Sequence, residues 1–239
     1  MARHLTSASA GRGMRRDALV FMAKWPQPGR AKTRLCPPLS PQQAADMARA
    51  LLLDTLAEAA RAQADRWLAY APAGARGHFF ALVGPEVGLL EADAADLGGA
   101  LWRAQSAAFA HGYGRVALVA SDIPHLEARR YAETFAALDR ADVAVGPSGD
   151  GGYYLLAARR PTPALFEGID WSTEAVYRQT RERAAGAGLT VAALGPCDDV
   201  DTAADLAWLR GVLRERPAAG RTLALLDRYE SFQGGLAAD

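Results

Sequence analysis

Short apolar runs and long alanine-rich stretches take turns along this chain, and a layered α/β architecture is the arrangement that accommodates such a pattern. The runs "ALVFMA" (Ala18 to Ala23), "RWLAYAP", "RVALVAS" (Arg115 to Ser121), "DVAVGP", "YYLLAA" and "TVAAL" are short and continuously apolar, as buried strands are. Between them, "SPQQAADMARALLLDTLAEAARAQAD" offers Ser40 as N-cap, Pro41 at the first helical position and Gln43 to close a capping box. "ALWRAQSAAFAHGY" reads as a helix ended near Gly112, and "EARRYAETFAALDR" as another. "WSTEAVYRQTRERAAGAG" is expected to be capped by Ser172 or Thr173 and stopped by Gly186 or Gly188, and "AADLAWLRGVL" forms a short last helix. This order implies a mostly parallel sheet between helical layers. No repeat or linker interrupts it, so residues 17–239 are expected to form a single domain after a disordered extension over residues 1–16.

Charge is balanced, with 27 basic and 27 acidic side chains, which argues against a general nucleic-acid or membrane-surface binder. The first apolar run stops at Lys24, short of signal-peptide or membrane length. Cys36 and Cys197 lie far apart and form no CxxC pair, which fits a reducing cytoplasm.

In open α/β sheets, ligands bind beyond the carboxyl ends of the strands. Four features fall there. The first is the loop "KWPQPGRAKTRL", which places Lys24, Arg30, Lys32 and Arg34 in one Pro- and Gly-broken segment with no acid among them. It lacks the glycine spacing of a Walker loop, and no GxGxxG follows any strand. Side chains are left to hold a polyphosphate, lysine as a point charge and arginine as a bidentate fork; the competing reading is a solvated basic turn. The second is Asp122 in "VASDIP", either a helix cap or a ligand for a hard cation. The third is "SGDGG", whose Asp150, Gly151 and Gly152 suit close approach to a sugar or base, with Tyr153 and Trp171 as stacking candidates or core residues. The fourth is "DDVDT", where Asp199 and Asp201 supply metal carboxylates or cap the final helix. His125 reads as a lone surface histidine, and the four histidines and two cysteines make no zinc pattern.

Taken in order, "AKWPQPGRAKTRL", "SDIPHL", "VGPSGDGGYYLL", "IDWST" and "DDVDTAADL" resemble the DUF2064 family, described as glycosyltransferases and associated with arsenosugar biosynthesis in some bacterial gene neighbourhoods. The likeness runs from about Ala18 to Leu209. It implies the GT-A fold, a three-layer αβα nucleotide-diphospho-sugar-binding domain shared with molybdenum-cofactor and phospholactate nucleotidyltransferases. Carried over by motif, it implies phosphate binding by Lys24, Arg30, Lys32 and Arg34, and Mg²⁺ or Mn²⁺ on Asp122 and Asp201 with Asp199 in reserve. The "LAGGxGxRMG" loop of many nucleotidyltransferases is missing, and "SDIP" stands where glycosyltransferases carry DxD.

Three activities are therefore open. The first is metal-dependent transfer of a sugar from a nucleotide-sugar donor to a small-molecule acceptor, with Asp122 central and Asp150 orienting sugar or acceptor. The second is nucleotidyl transfer from an NTP to a phosphorylated small molecule, which the "DVDTAADL" ending favours. The third is nucleotide binding without turnover.

Overall fold

The computed structural model describes residues 16–215 and 219–234, so nearly all of the expected N-terminal extension lies outside the described residues. Arg16 lies within them, its carbonyl accepting from the Gly114 amide and its guanidinium paired with Asp65. Among the described residues, seven strands form one sheet: β1 (Asp17–Lys24), β2 (Asp65–Ala71), β3 (Gly88–Glu91), β4 (Arg115–Ala120), β5 (Val143–Pro147), β6 (Tyr153–Ala158) and β7 (Val191–Ala193). Their order is β3-β2-β1-β4-β6-β5-β7. Only β6 runs against its neighbours, β4 and β5. The helices are α1 (Pro41–Ala59), α2 (Arg76–Val83), α3 (Leu97–Ala110), α4 (Ala128–Ala137), α5 (Val176–Gly186), α6 (Ala203–Leu213) and α7 (Gly220–Gly234).

Alternation along β1 sorts the core. Leu19 and Phe21 face α1, α2 and α4 through Leu56, Phe79 and Tyr131, while Ala18 and Val20 face α3 through Leu101 and Ala104. Burying a side chain such as Phe21 in this way contributes about 1.5–3 kcal/mol. A third apolar cluster lies on α1's other side, where Met47 and Leu51 meet Leu206 and Leu209 of α6 and Leu226 of α7. α1 is thus apolar on two faces, as a helix sandwiched between layers must be.

Several elements start as their residues dictate. Ser40 and Gln43 exchange the two capping-box bonds, and Thr202 with Asp205 does the same for α6. Others do not. α5 begins at Val176 without a side-chain cap, because Thr173 spends its hydroxyl on the Asp170 carbonyl and the Ala175 amide inside the preceding turn. That corrects the expected cap at Ser172 or Thr173. α4 is served from a distance, the buried Glu58 of α1 accepting from the Ala128 amide at 2.9 Å. None of the helices among the described residues is long and apolar enough to cross a membrane.

At the far edge of the sheet, Asp142 accepts from the Thr190 amide (3.0 Å) and hydroxyl (2.8 Å) and from Arg159 (2.7 Å), clamping β5, β6 and the start of β7. The Thr190 amide, its hydroxyl and then Arg159 hold this carboxyl well below its ordinary 3.8. Its contribution is therefore complete above the ordinary carboxylate range and is lost as pH falls through that range towards the depressed value. Asp142→Ala is expected to cost about 2–3 kcal/mol at neutral pH. Thermal melts taken from about pH 7 to about pH 3 should show the gap between the proteins narrowing in acid; a gap that stays constant would show that the clamp owes nothing to the charge.

Candidate functional site

The strand order reverses direction at β1, which has β2 on one side and β4 on the other, so a crevice opens beyond the carboxyl ends of β1 and β4. The cationic loop leaves β1 there. Leu35, fully buried, anchors its three-residue 3₁₀ turn, Thr33–Leu35, against α1. Lys32, just before that turn, is held at φ 47 and ψ 43, a left-handed conformation that costs a non-glycine residue about 1–3 kcal/mol and persists where surrounding structure enforces it.

Lys32 points its ammonium between two acids. It pairs with Asp122 at the end of β4 and lies 2.6 Å from Asp201 Oδ1, with a side chain only 12% exposed. Burial works against its charge, and the attraction of Asp122 and Asp201 outweighs it, so its pKa is raised. Arg34, 69% exposed, reaches the other oxygen of Asp201 at 3.2 Å. Lys24 and Arg30 make no ion pair among the described residues and line the same side of the crevice.

The acids arrive from a segment laid across the sheet end. After β7, Leu194 donates to the Val145 carbonyl, Cys197 to Pro147 and Val200 to Asp122. Val200 is fully buried in the α1–α6 cluster, and the period of two in an extended chain turns Asp199 and Asp201 the other way. Asp122, Asp199 and Asp201 consequently each offer an oxygen within 4.8 Å of the others. Neither competing cap applies: α6 is capped by Thr202, and α4 begins well past Asp122, at Ala128. Burial, then the charges of Asp122 and Asp201, push Asp199 up to about 6 against the pull of Lys32. Such a crowded all-oxygen donor set suits a hard divalent cation, whose charge would relieve that repulsion.

Two clefts meet at this triad. One, about 350 Å³, is lined by Lys24, Arg30, Lys32 and Arg34 with Asp122 and Asp201. The other, about 550 Å³, lies over the β4–β6 side and takes Asp150, Gly152, Tyr153, Trp171 and Asp199 into its wall. Gly152 donates its amide to Asp150 at 2.9 Å, and the Gly149 amide is held by Asp198. Gly151 is expected from sequence to contact a ligand but packs beneath the next loop. At φ +85, it would place a Cβ 2.3 Å from the Glu174 carbonyl, and its own carbonyl accepts from Tyr177. The structure gives it a loop-shaping place.

Sequence reading missed Gly98 and the true surroundings of His125. A Cβ on Gly98 would lie 2.4 Å from Trp171 Nε1, so the missing side chain is what lets the indole lie on α3. Nothing local in the "LGG" run announces that contact. Gly98→Ala is expected to displace Trp171 and cost about 1–3 kcal/mol through overpacking. The check is a shift in tryptophan emission that a Trp171→Phe background abolishes. His125 is no lone surface residue: its Nε2 is 3.1 Å from Cys197 Sγ, and its ring meets Trp208 edge-on. Burial pushes the Cys197 thiol up to about 12, so it stays protonated and unreactive near neutral pH.

A mixed sheet of this order, with a cationic loop after its first strand and carboxylates after its fourth and seventh, has the architecture of the nucleotide-diphospho-sugar transferases. A protein from Desulfovibrio desulfuricans G20, provisionally named a nucleotide-diphospho-sugar transferase, has that structure. It is 34% identical, with a TM-score of 0.84 over 91% of this chain and 96% of that one. The chain belongs to the DUF2064 family, described as "Uncharacterized protein conserved in bacteria", which matches residues 53–173. That span holds Asp122, the 148–153 loop and Trp171, and the Desulfovibrio protein extends the likeness over most of the rest. More distant structures share the fold alone. They include a cytidylyltransferase from Leptospira borgpetersenii (10% identity, TM-score 0.56, 92% and 96% of the two chains). Another is 4-diphosphocytidyl-2C-methyl-D-erythritol synthase from Anaerococcus prevotii (9%, 0.57, 84% and 96%). No curated protein matches the chain.

Proposed function

We propose that the protein is a metal-dependent glycosyltransferase that takes the sugar of a nucleotide-diphospho-sugar donor and passes it to a small-molecule acceptor. The observation that carries this is the meeting of a cation-lined cleft and a cleft lined by aromatic rings and carboxylates at one carboxylate triad. The Desulfovibrio relative's provisional name supports the donor class. Lys24 and Arg30, which make no ion pair among the described residues, meet the diphosphate together with Lys32 and Arg34. Asp122 and Asp201, joined by Asp199, would hold Mg²⁺ or Mn²⁺, which would supply positive charge to offset the negative charge of a leaving diphosphate. Lys32 and Arg34 share that charge as it develops, an interaction that strengthens as the sugar bond breaks. Asp150 holds sugar or acceptor hydroxyls through its Oδ2, Gly152 leaves room for their close approach, and Tyr153 and Trp171 serve as flat apolar walls. The unpaired cysteines favour a cytoplasmic setting, and no nucleic-acid or membrane surface is invoked.

A second reading, nucleotidyl transfer from an NTP to a phosphorylated acceptor, is favoured by Lys24 and Arg30, which have no ion-pair partner among the described residues and offer places for a further phosphate. Turnover with Mg²⁺ or Mn²⁺ against a panel of nucleotide sugars and NTPs separates the two. Acceptor-dependent release of nucleoside diphosphate is the expected result. Pyrophosphate release would replace this reading with the second, and tight nucleotide binding with no product would leave a binding domain.

A further inference from the structure

We infer that the acceptor is an uncharged or cationic small molecule with a flat apolar body, and that the larger cleft discriminates against phosphorylated acceptors. The inference rests on reading that cleft as the acceptor side of a transferase. Apolar side chains form one part of its wall: Met22 and Leu118 from the strands, Leu101 from α3 and Val176 from α5, with the rings of Tyr153 and Trp171. A volume of about 550 Å³ takes a ring-sized group beside a sugar.

The charges in that cleft are segregated from those next door. Asp150 and Glu174 line it, with Asp199 at the edge it shares with the metal triad, and Arg34, the one lining cation among the described residues, is engaged with Asp201 and shared with the smaller cleft. Lys24, Arg30 and Lys32 line the smaller cleft and not this one. An entering phosphate would face Asp150 and Glu174, and among the described residues no uncommitted side-chain cation lines this cleft to meet it, while the triad's metal ion would already be engaged by the diphosphate; this disfavours it in a partly desolvated site. A hydroxyl or an ammonium meets the opposite situation. Asp150 Oδ1 is occupied by the Gly152 amide and the Ser148 hydroxyl, while Oδ2 accepts no hydrogen bond among the described residues. That oxygen is available to a donor on the acceptor. Specificity here comes as much from what is repelled as from what is bound. The same segregation weighs against nucleotidyl transfer to a phosphate, whose nucleophile would need cations where this cleft has acids.

The test uses three probes that differ only in charge: 2-phenylethanol, 2-phenylethylamine and 2-phenylethyl phosphate. Binding to the full chain is followed by ligand-observed NMR with Mn²⁺ replaced by Mg²⁺ and saturating nucleoside diphosphate present, so that the cationic cleft is filled. The alcohol and amine are expected to bind at least about tenfold more tightly than the phosphate ester, a gap of about 1.4 kcal/mol. In an Asp150→Asn, Glu174→Gln double variant the gap should shrink to about threefold or less. Equal or tighter binding of the phosphate ester, an unchanged gap in the double variant, or no binding by any probe would overturn the inference. Calorimetric binding of the nucleoside diphosphate to the same sample tests the parent reading separately. If the nucleotide fails to bind and the probe preference holds, the donor assignment falls and the acceptor inference stands. If the nucleotide binds and the phosphate ester wins, only the acceptor inference falls.

Discussion

Asp122→Asn is expected to lower metal-dependent turnover by about 10³-fold, the order seen when a principal charge-stabilising group is lost, while moving Tm by only a few degrees. The side chain keeps its size at the mouth of β4 but loses the charge that faces Asp199, Asp201 and Lys32. Folding has little stake in that charge. Asp122 caps no helix, and Lys32 retains Asp201 as a partner. Its backbone carbonyl, which receives the Val200 amide, is untouched. Calorimetric titration of Mn²⁺ should show affinity falling at least about tenfold in parallel. A variant that melts much earlier, yet keeps its turnover and its metal response, would mark Asp122 as a structural residue.

Lys32→Met is expected to act on metal and substrate in opposite directions. The Lys32 ammonium occupies the carboxylate oxygens that a divalent cation needs, so its removal should let Mn²⁺ bind the free protein about tenfold more tightly. Turnover should nonetheless fall by about 10²–10³-fold, because the cation that meets the diphosphate is gone. Nucleotide affinity should also fall, with a weaker dependence on salt than in the parent protein. Should both metal affinity and turnover stay as they were, Lys32 would be no more than a buried partner for Asp122. Methionine keeps most of the apolar stem, so that loss of packing does not confuse the result.

Much of this was legible in the residues. The capping box at Ser40, the apolar strands and the glycine-rich hairpin between β5 and β6 follow from short-range chemistry, and the sequence assigns them with few errors; the box at Thr202 is equally local, but the acids before it drew the cap assignment away. α2, β3 and α7 escaped notice. β3 is four residues long, α2 carries no side-chain cap, and α7 is secured by distant contacts, with the Thr222 amide donating to the buried Asp54 of α1 at 2.7 Å. Elements whose stability comes from packing leave a faint local trace.

The candidate site divides along the same line. The sequence by itself determined that cations follow β1, that a carboxylate follows β4 and that "DVD" alternates, because each is a matter of neighbours along the chain. Only the tertiary structure decided that these groups converge, since Lys32 and Asp201 stand 169 residues apart and are joined through a sheet order and three backbone bonds that carry the final segment across it. It also decided that Gly151 shapes a loop, that Gly98 seats Trp171, and that cations and acids fall into separate clefts. Excluded volume and charge act between whatever side chains folding brings together, and their sequence separation leaves no mark on either.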